Sequence, residues 1–120
     1  TLSELADQYY INKKGDDYYH ASKFMTITCH CTDLMKEHSP AVVHIDGTAR
    51  PQFVSEDDDK SYYQIIKHYY DITGIGSIIN TSFNMHEEPI VCSPEEAINS
   101  FIESRLDILA IGDYIAVLDN

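Results

Sequence analysis

Apolar residues recur along this 120-residue chain at two different spacings, which predict alternating helices and strands. Spacings of three and four between residues 62 and 70 predict a helix that begins near Ser55, with Asp58 completing a capping-box analogue, and ends at Gly74. A second predicted helix begins at Ser93, followed by proline and acidic residues, and has its apolar side over residues 97–106. Residues 2–10 have the spacing of a shorter helix.

Short runs of β-branched and apolar residues predict the strands. We expect strands over residues 23–29, 41–45 and 75–79, the last one centrally buried, and an extended piece over 52–54. Residues 108–111 and 114–118 are two further apolar runs, separated by Gly112 and Asp113. Polar residues 13–18 and 32–40 are predicted as a turn and a loop. Strands that alternate with two strong helices predict a single α/β domain without internal repeats.

Composition limits the binding partners and the cellular compartment that we expect for this domain. Twenty acidic against eight basic residues give a net charge of −12, which disfavours nucleic acid or an anionic membrane as a partner. No run approaches the roughly 18 apolar residues of a membrane span. Three cysteines without a small-scaffold spacing favour a reducing, cytoplasmic setting. Because the sequence begins at Thr1, we expect a piece of a longer polypeptide or a processed chain.

The first cluster with candidate chemistry is residues 44–50, HIDGTAR, directly after a predicted strand. Glycine lets the backbone approach a ligand closely, and Thr48 and Arg50 offer donors to a phosphate or carboxylate oxygen, with His44 beside them. The alternative interpretation is a turn whose arginine pairs with one of the twenty acids.

The second cluster is residues 80–84, NTSFN, at the predicted end of a strand. Asn80 and Asn84 offer both donors and acceptors to an amide-like group, and Thr81 and Ser82 add hydroxyls. The ends of strands are where α/β sheets commonly bind ligands. Alternatively, these residues only cap the sheet and turn the chain.

The third cluster, Cys29-His30-Cys31, raises the question of a metal site. In a strand the histidine points away from both thiols, so the three side chains cannot easily bind one ion. We therefore predict a strand with two buried thiols and no metal, and a metal-site protein remains the alternative.

Taken together, the order of motifs resembles one family over most of the chain. The similarity is to the sequence of the C-terminal domain of the O-carbamoyltransferases of nodulation-factor and antibiotic biosynthesis. It is carried by residues 44–52, 80–84, 88–91, 93–97 and 106–113. Residues 22–25 resemble the family's strand opening, with Lys23 where proline is usual. Glu87 stands where the family commonly has glycine.

The resemblance implies a truncated YrdC-like α/β domain, a twisted mixed sheet with flanking helices, that spans residues 1–120. It implies an enzyme domain that binds carbamoyl phosphate and ATP with Mg²⁺ and forms carbamoyl-adenylate. A Kae1-like N-terminal domain, which carries an iron site and is absent here, would transfer the carbamoyl group to a hydroxyl of a sugar or antibiotic. We expect this chain alone to bind nucleotide at most, without completing that transfer.

The resemblance also implies the site. Arg50, Asn80 and Ser82 would be catalytic, and the substrate-binding set would comprise His44, Thr48, Arg50, Asn80, Thr81, Ser82 and Asn84. Two alternatives stay open: a non-catalytic nucleotide-binding or assembly module of the same fold, and threonylcarbamoyl-adenylate synthesis for tRNA modification, which the acidic surface disfavours.

Overall fold

The structure of the protein is a computed structural model that describes residues 1–11 and 16–118, with residues 16 and 17 described by their backbone alone. The chain divides into two compact units, residues 1–79 and 80–120. The helices of the first unit are α1 (Ala6–Tyr9), α2 (Asp16–Ser22), α3 (Asp33–His38) and α4 (Lys60–Thr73), and its strands are β1 (Tyr10–Ile11), β2 (Cys29–Cys31) and β3 (Thr48–Ala49). The second unit contains α5 (Pro94–Glu103), β4 (Ile108–Ile111) and β5 (Tyr114–Val117).

The first unit is built around a three-stranded antiparallel sheet in the order β1-β2-β3. Cys31 pairs with Tyr10 on one side, and Cys29 pairs with Ala49 on the other. These paired residues are all buried and form one side of the sheet, which packs against residues from the helices. The largest fully buried side chains of this core are Tyr9, Phe53, Leu2, Met35 and Ile66.

The helix α3 replaces the loop predicted over residues 32–40. Thr32 is its N-cap, and the Thr32 hydroxyl accepts a hydrogen bond from the backbone N–H of Met35 at 3.3 Å. A threonine cap of this kind satisfies a backbone donor that would otherwise lack a partner at the start of the helix. The prediction of a loop over residues 32–40 was therefore wrong, because a segment of mostly polar residues can still form a short helix when its first turn is capped.

The strand predicted over residues 41–45 is also wrong. Residues Pro40–Val42 form a turn of 3-10 helix, in which proline supplies the fixed φ of a first helical position. The backbone N–H of Val43 donates to the carbonyl of Pro40 at 3.2 Å. The chain then enters a tight turn, so that strand β3 begins only at Thr48.

The strand predicted over residues 23–29 is wrong for residues 23–28, because the observed strand begins at Cys29 and extends to Cys31. Helix α2 closes with a turn in which the N–H of Lys23 donates to the carbonyl of His20 at 3.1 Å. Met25 then adopts a φ of 54°, which no strand accommodates. The polar turn predicted over residues 13–18 is wrong for residues 16–18, because helix α2 occupies residues 16–22. Residues 13–15 lie outside the described residues.

Residues 75–79 do not form the predicted buried strand. The carbonyl of Gly76 accepts from the N–H of Leu2 at 3.0 Å, and the N–H of Gly76 donates to the hydroxyl of Tyr9 at 3.0 Å. Because the Tyr9 side chain and the backbone of Leu2 already bond to the N–H and the carbonyl of Gly76, these two groups do not pair with a neighbouring strand. Gly76 and Ser77 are buried, whereas the side chain of Ile79 is 63% exposed.

Helix α4 confirms the helix predicted up to Gly74, with a later start. Its N-cap is Asp59, whose side chain accepts from the N–H of Tyr62 at 3.0 Å. Ser55 and Asp58 instead bond to each other through their side chains, one turn before the helix. Gly74 ends the helix in the left-handed conformation, with a φ of 75°, as a C-terminal glycine commonly does.

The second unit confirms its predicted elements. Helix α5 begins with the full capping box, in which Ser93 and Glu96 each accept from the other's backbone N–H. Strands β4 and β5 pair antiparallel as a hairpin whose two-residue loop is Gly112 and Asp113. Gly112 has a φ of 55°, which suits the first loop position of a hairpin turn.

Helices and small sheets together confirm the α/β class. The strand ladders of the described residues are antiparallel, and a parallel bridge joins Leu2 to Val54 in the predicted extended piece. None of the helices in the described ranges combines the length and the apolar character needed to cross a membrane.

Candidate functional site

The predicted site residues lie in both units, and each group is described within its own unit. His44, Thr48 and Arg50 belong to the first unit, and residues 80–84 belong to the second. In the first unit, the three residues lie in and directly after one tight turn that leads into strand β3.

That turn is a type I turn followed by a glycine bulge. The N–H of Gly47 donates to the carbonyl of His44 at 2.9 Å, and the N–H of His44 donates to the carbonyl of Thr48 at 2.7 Å. Gly47 adopts a φ of 79°, the left-handed conformation that this three-residue hairpin loop requires. The Gly47 carbonyl accepts from the N–H of Cys31 at 2.9 Å, which ties the turn to strand β2.

Asp46 organises the polar side chains of the turn, and the sequence prediction did not include it. Its carboxylate accepts from the Thr48 hydroxyl at 2.7 Å and from the Thr48 N–H at 3.0 Å. These hydrogen bonds, with His44 and His30 nearby, hold the pKa of Asp46 below its usual value. An aspartate two residues before a threonine is a recognised side-chain turn signal, so the sequence did contain the information.

The Thr48 hydroxyl is also 3.0 Å from Nδ1 of His44. Because its single hydrogen is donated to Asp46, this hydroxyl accepts from His44, which places a proton on Nδ1. Thr48 is buried, whereas His44 is exposed. Thr48 therefore orders the turn from within, and His44 is the member of the pair that a ligand can reach.

Arg50 is exposed and follows strand β3 directly. Among the described residues, no carboxylate lies within ion-pair distance of its guanidinium; the lysine pairs are Lys23–Asp58, Lys36–Asp33, Lys60–Glu56 and Lys67–Asp71. In a chain with twenty acids, an arginine without such a partner retains its full capacity to bind an anion.

In the second unit, Asn80, Thr81 and Ser82 are exposed in a loop segment that precedes helix α5. Asn84 is half-buried, and its Nδ2 donates to the carbonyls of Met85 at 2.9 Å and Glu88 at 3.1 Å. Its Oδ1 is buried without a hydrogen-bond partner in the described part of the chain. Asn84 therefore shapes the loop with its donors and leaves an acceptor unsatisfied.

Glu87 occupies a strained backbone position in the same loop. The N–H of Glu88 donates to the carbonyl of Met85 at 3.1 Å and closes a turn with Glu87 at its third position. The φ of Glu87 is 67°, and a turn with positive φ at that position favours glycine. The conformation explains structurally why a glycine suits this position better than glutamate.

Glu87→Gly is expected to stabilise this loop by about 1 kcal/mol, the approximate cost of a left-handed conformation for a residue with a Cβ. Amide exchange at Val91, whose N–H donates to the carbonyl of Phe83 at 3.0 Å, is the measurement. We expect it to slow several-fold. Glu88→Gly is the control, because Glu88 lacks a positive φ, and it should speed that exchange. Equal exchange in the two variants would contradict the strain at Glu87.

The Cys29-His30-Cys31 segment has the alternation predicted for it. Both thiols are buried on one side of β2, and His30 is exposed on the other. The hydroxyl of Tyr18 donates to Sγ of Cys29 at 2.8 Å, and burial raises the pKa of both thiols. Within residues 1–11 and 16–118, no three His, Cys, Asp or Glu side chains are grouped so as to hold a metal ion.

The two polar groups differ in chemistry. The turn at 44–48 and Arg50 present an imidazole and a guanidinium, which suit an anion. The loop at 80–84 presents hydroxyls and amides, which suit an uncharged group with both donors and acceptors.

The chain is similar to one protein family and to several individual proteins. A family model described as carbamoyltransferase C-terminus matches residues 1–117. An uncharacterized protein of Methanocaldococcus jannaschii is 40% identical over 114 residues, which cover 95% of this chain and 21% of that protein. Nodulation protein NolNO of Sinorhizobium fredii is 43% identical over 75 residues, which cover 62% of this chain and 11% of that protein. The chain thus spans about a fifth or less of the length of these relatives.

Proposed function

Because this chain belongs to the carbamoyltransferase C-terminus family, we propose that it binds ATP and carbamoyl phosphate and forms carbamoyl-adenylate. The polypeptide would be an ATP-dependent O-carbamoyltransferase of the cytoplasm. A Kae1-like domain with an iron site would complete the transfer to a hydroxyl of a sugar or antibiotic acceptor.

The observation that carries this proposal is the state of Arg50. It is exposed, it lacks an ion-pair partner among the described residues, and it follows a turn held by five hydrogen bonds among His44, Asp46, Gly47 and Thr48. A guanidinium binds phosphate oxygens with two parallel hydrogen bonds, so an ordered attachment point improves its alignment. Arg50 would hold a phosphate of ATP, and exposed His44 in the preceding turn would offer a further donor.

The loop at residues 80–84 would bind the carbamoyl end. A carbamoyl group has an NH₂ donor and a carbonyl acceptor, which Asn80 and the hydroxyls of Thr81 and Ser82 can match. The buried Oδ1 of Asn84 lacks a donor in the described residues, and a buried acceptor without a partner costs about 1–3 kcal/mol. An NH₂ group that reached it would remove that cost.

The proposed reaction consumes one water. Water takes the phosphoryl group of carbamoyl phosphate as phosphate and leaves carbamate. A carbamate oxygen then bonds to the α-phosphorus of ATP while the bond to pyrophosphate breaks, which gives carbamoyl-adenylate. Mg²⁺ bound to ATP would neutralise the leaving pyrophosphate. The chain's own side chains would position the two anions and stabilise the developing charge, and no protein nucleophile is needed.

A non-catalytic nucleotide-binding or assembly module is the second candidate. Glu87 favours it, since it places a carboxylate in the loop that follows Asn84, where a negative charge opposes anion binding.

Calorimetric titration with ATP–Mg²⁺, with and without carbamoyl phosphate, tests the proposal. We expect saturable binding that weakens about tenfold, or about 1.4 kcal/mol, in Asn80→Ala when carbamoyl phosphate is present. Asn99→Ala is the matched control, because Asn99 is an exposed asparagine of helix α5, and its binding should equal that of the original chain. Equal binding by Asn80→Ala and the original chain would contradict the role assigned to Asn80. An original chain that gives no binding heat with ATP–Mg²⁺ and carbamoyl phosphate would contradict the proposed function.

A further inference from the structure

The turn at residues 44–48 leaves one ring nitrogen of His44 free. Nδ1 of His44 donates to the Thr48 hydroxyl oxygen at 3.0 Å, because that hydroxyl donates its single hydrogen to the Asp46 carboxylate at 2.7 Å. The other ring nitrogen, Nε2, has no hydrogen-bond partner within residues 1–11 and 16–118. Because the His44 side chain is exposed, water and a ligand can reach Nε2.

The position of the ring hydrogen decides what Nε2 can do. A neutral imidazole carries one such hydrogen, and the hydrogen bond made by one nitrogen sets which of the two carries it. With that hydrogen on Nδ1, Nε2 of neutral His44 has a free lone pair and accepts a proton. Nε2 becomes a donor only after it has taken up that proton. His44 is thus arranged to act first as a base and then as a donor to an anion.

Asp46 and Thr48 hold the imidazole of His44 in this arrangement. The Asp46 carboxylate also accepts from the Thr48 N–H at 3.0 Å, which fixes its position relative to the Thr48 hydroxyl. The backbone N–H of His44 donates to the carbonyl of Thr48 at 2.7 Å, so His44 and Thr48 are joined through backbone and side chain. A carboxylate at the end of such a chain orients a histidine and stabilises the imidazolium that forms when the histidine takes up a proton.

The proposed reaction contains one step in which a base removes a proton. When water attacks carbamoyl phosphate, the water oxygen bonds to phosphorus and the bond from phosphorus to the carbamate oxygen breaks, so that its electron pair leaves with carbamate. Hydrogen phosphate forms when a base takes one proton from that water. Carbamate then attacks ATP as an anion and needs no base. Because carbamate has to reach the α-phosphorus, the two substrates lie side by side, and a base beside ATP is also beside carbamoyl phosphate.

We propose that His44 is the general base of this hydrolytic step and that Asp46 and Thr48 are its positioning residues. Nε2 of His44 takes one proton from the attacking water, and the imidazolium then donates that hydrogen to a phosphate oxygen. The proton passes to solvent when hydrogen phosphate leaves. The inference rests on the proposed function for the identity of the substrate.

The position of the ring hydrogen is measured first, by two-bond ¹⁵N–¹H NMR correlations on the chain labelled with ¹⁵N-histidine, at a pH at which the imidazole is neutral. We expect the hydrogen of His44 on Nδ1. Thr48→Val should distribute it over both nitrogens, because valine lacks the hydroxyl to which Nδ1 donates, and Thr48→Ser should return it to Nδ1. A hydrogen that resides mainly on Nε2 in the original chain overturns the proposal.

The base itself is tested by phosphate release from carbamoyl phosphate in the presence of ATP–Mg²⁺, with the polypeptide that carries these residues. His44→Ala should lower kcat by about 100-fold with little change in KM for carbamoyl phosphate, because a general base acts in the transition state. Added imidazole should restore part of that rate. Thr48→Val should lower kcat several-fold, and Thr48→Ser should recover most of the loss. His68→Ala is the matched control, because His68 is an exposed histidine of helix α4, and its kcat should equal that of the original polypeptide.

The outcomes separate this inference from the proposed function. Release of phosphate and pyrophosphate by His44→Ala at the original rate overturns the role of His44 and leaves the proposed function standing. A raised KM with an unchanged kcat in His44→Ala shows that His44 only binds substrate, and it also overturns the base. An original polypeptide that is folded by circular dichroism but releases neither product contradicts the proposed function, and the base role with it.

Discussion

Arg50→Gln is expected to lower carbamoyl-phosphate-dependent release of pyrophosphate from ATP by about 100-fold, the typical loss when one group that stabilises transition-state charge is removed. Glutamine keeps much of the side-chain length but removes the positive charge and the two-pronged donor geometry. Because Arg50 is exposed and has no ion-pair partner among the described residues, its removal should leave the folded structure intact. Pyrophosphate release is the measurement, with circular dichroism to verify the fold.

Arg105→Gln is the control for that substitution. Arg105 is the second of the chain's two arginines, so both variants change the net charge equally. It is exposed in the second unit and has a φ of 52°, which glutamine tolerates no worse than arginine does. We expect turnover close to that of the original chain. Equal losses in the two variants would show that only the overall charge matters, and would refute a specific role for Arg50.

Phe53→Ala is expected to destabilise the first unit by about 3–5 kcal/mol, the usual cost of removing a buried phenyl ring. The Phe53 side chain is 2% exposed, and its ring centroid lies 5.7 Å from that of Tyr10 and 5.6 Å from that of Tyr19. Its N–H donates to the carbonyl of Ser22 at 3.0 Å, which holds the ring in place. Urea unfolding followed by tyrosine fluorescence measures the loss, with Phe53→Leu as a milder variant.

Phe24→Ala provides the comparison, because the Phe24 side chain is 64% exposed. An exposed substitution of this kind usually changes stability by no more than about 0.5 kcal/mol. Similar unfolding midpoints for Phe53→Ala and Phe24→Ala would show that Phe53 is not part of the core.

Elements with strong local signals were predictable from the sequence, and elements that depend on distant partners were not. Helix α5 carries its capping box within four residues, and the β4–β5 hairpin carries its turn at Gly112. Residues 75–79 contain equally apolar residues, but the backbone groups of Gly76 bond to Leu2 and Tyr9, more than 60 positions away. No local pattern indicates that those groups are already satisfied.

The candidate site divides in the same way. Residue types and order predict anion binding at Arg50 and binding of an amide-like group at Asn80, and both stay predictions. The order of the turn depends on Asp46, whose carboxylate accepts hydrogen bonds from Thr48, and the contact of the turn with strand β2 depends on which strands pair. The position of His30 opposite Thr48 is not predictable from the sequence, because it depends on which strands pair.

The measurement that tests the central claim most directly is pyrophosphate release from ATP–Mg²⁺ by the polypeptide that carries these 120 residues. The reaction is followed with carbamoyl phosphate, with inorganic phosphate in its place, and with ATP alone. Carbamoyl-adenylate formation predicts pyrophosphate release only when carbamoyl phosphate is present, with one phosphate released for each pyrophosphate. Release at the same rate without carbamoyl phosphate, or no release in its presence, would contradict the proposed function.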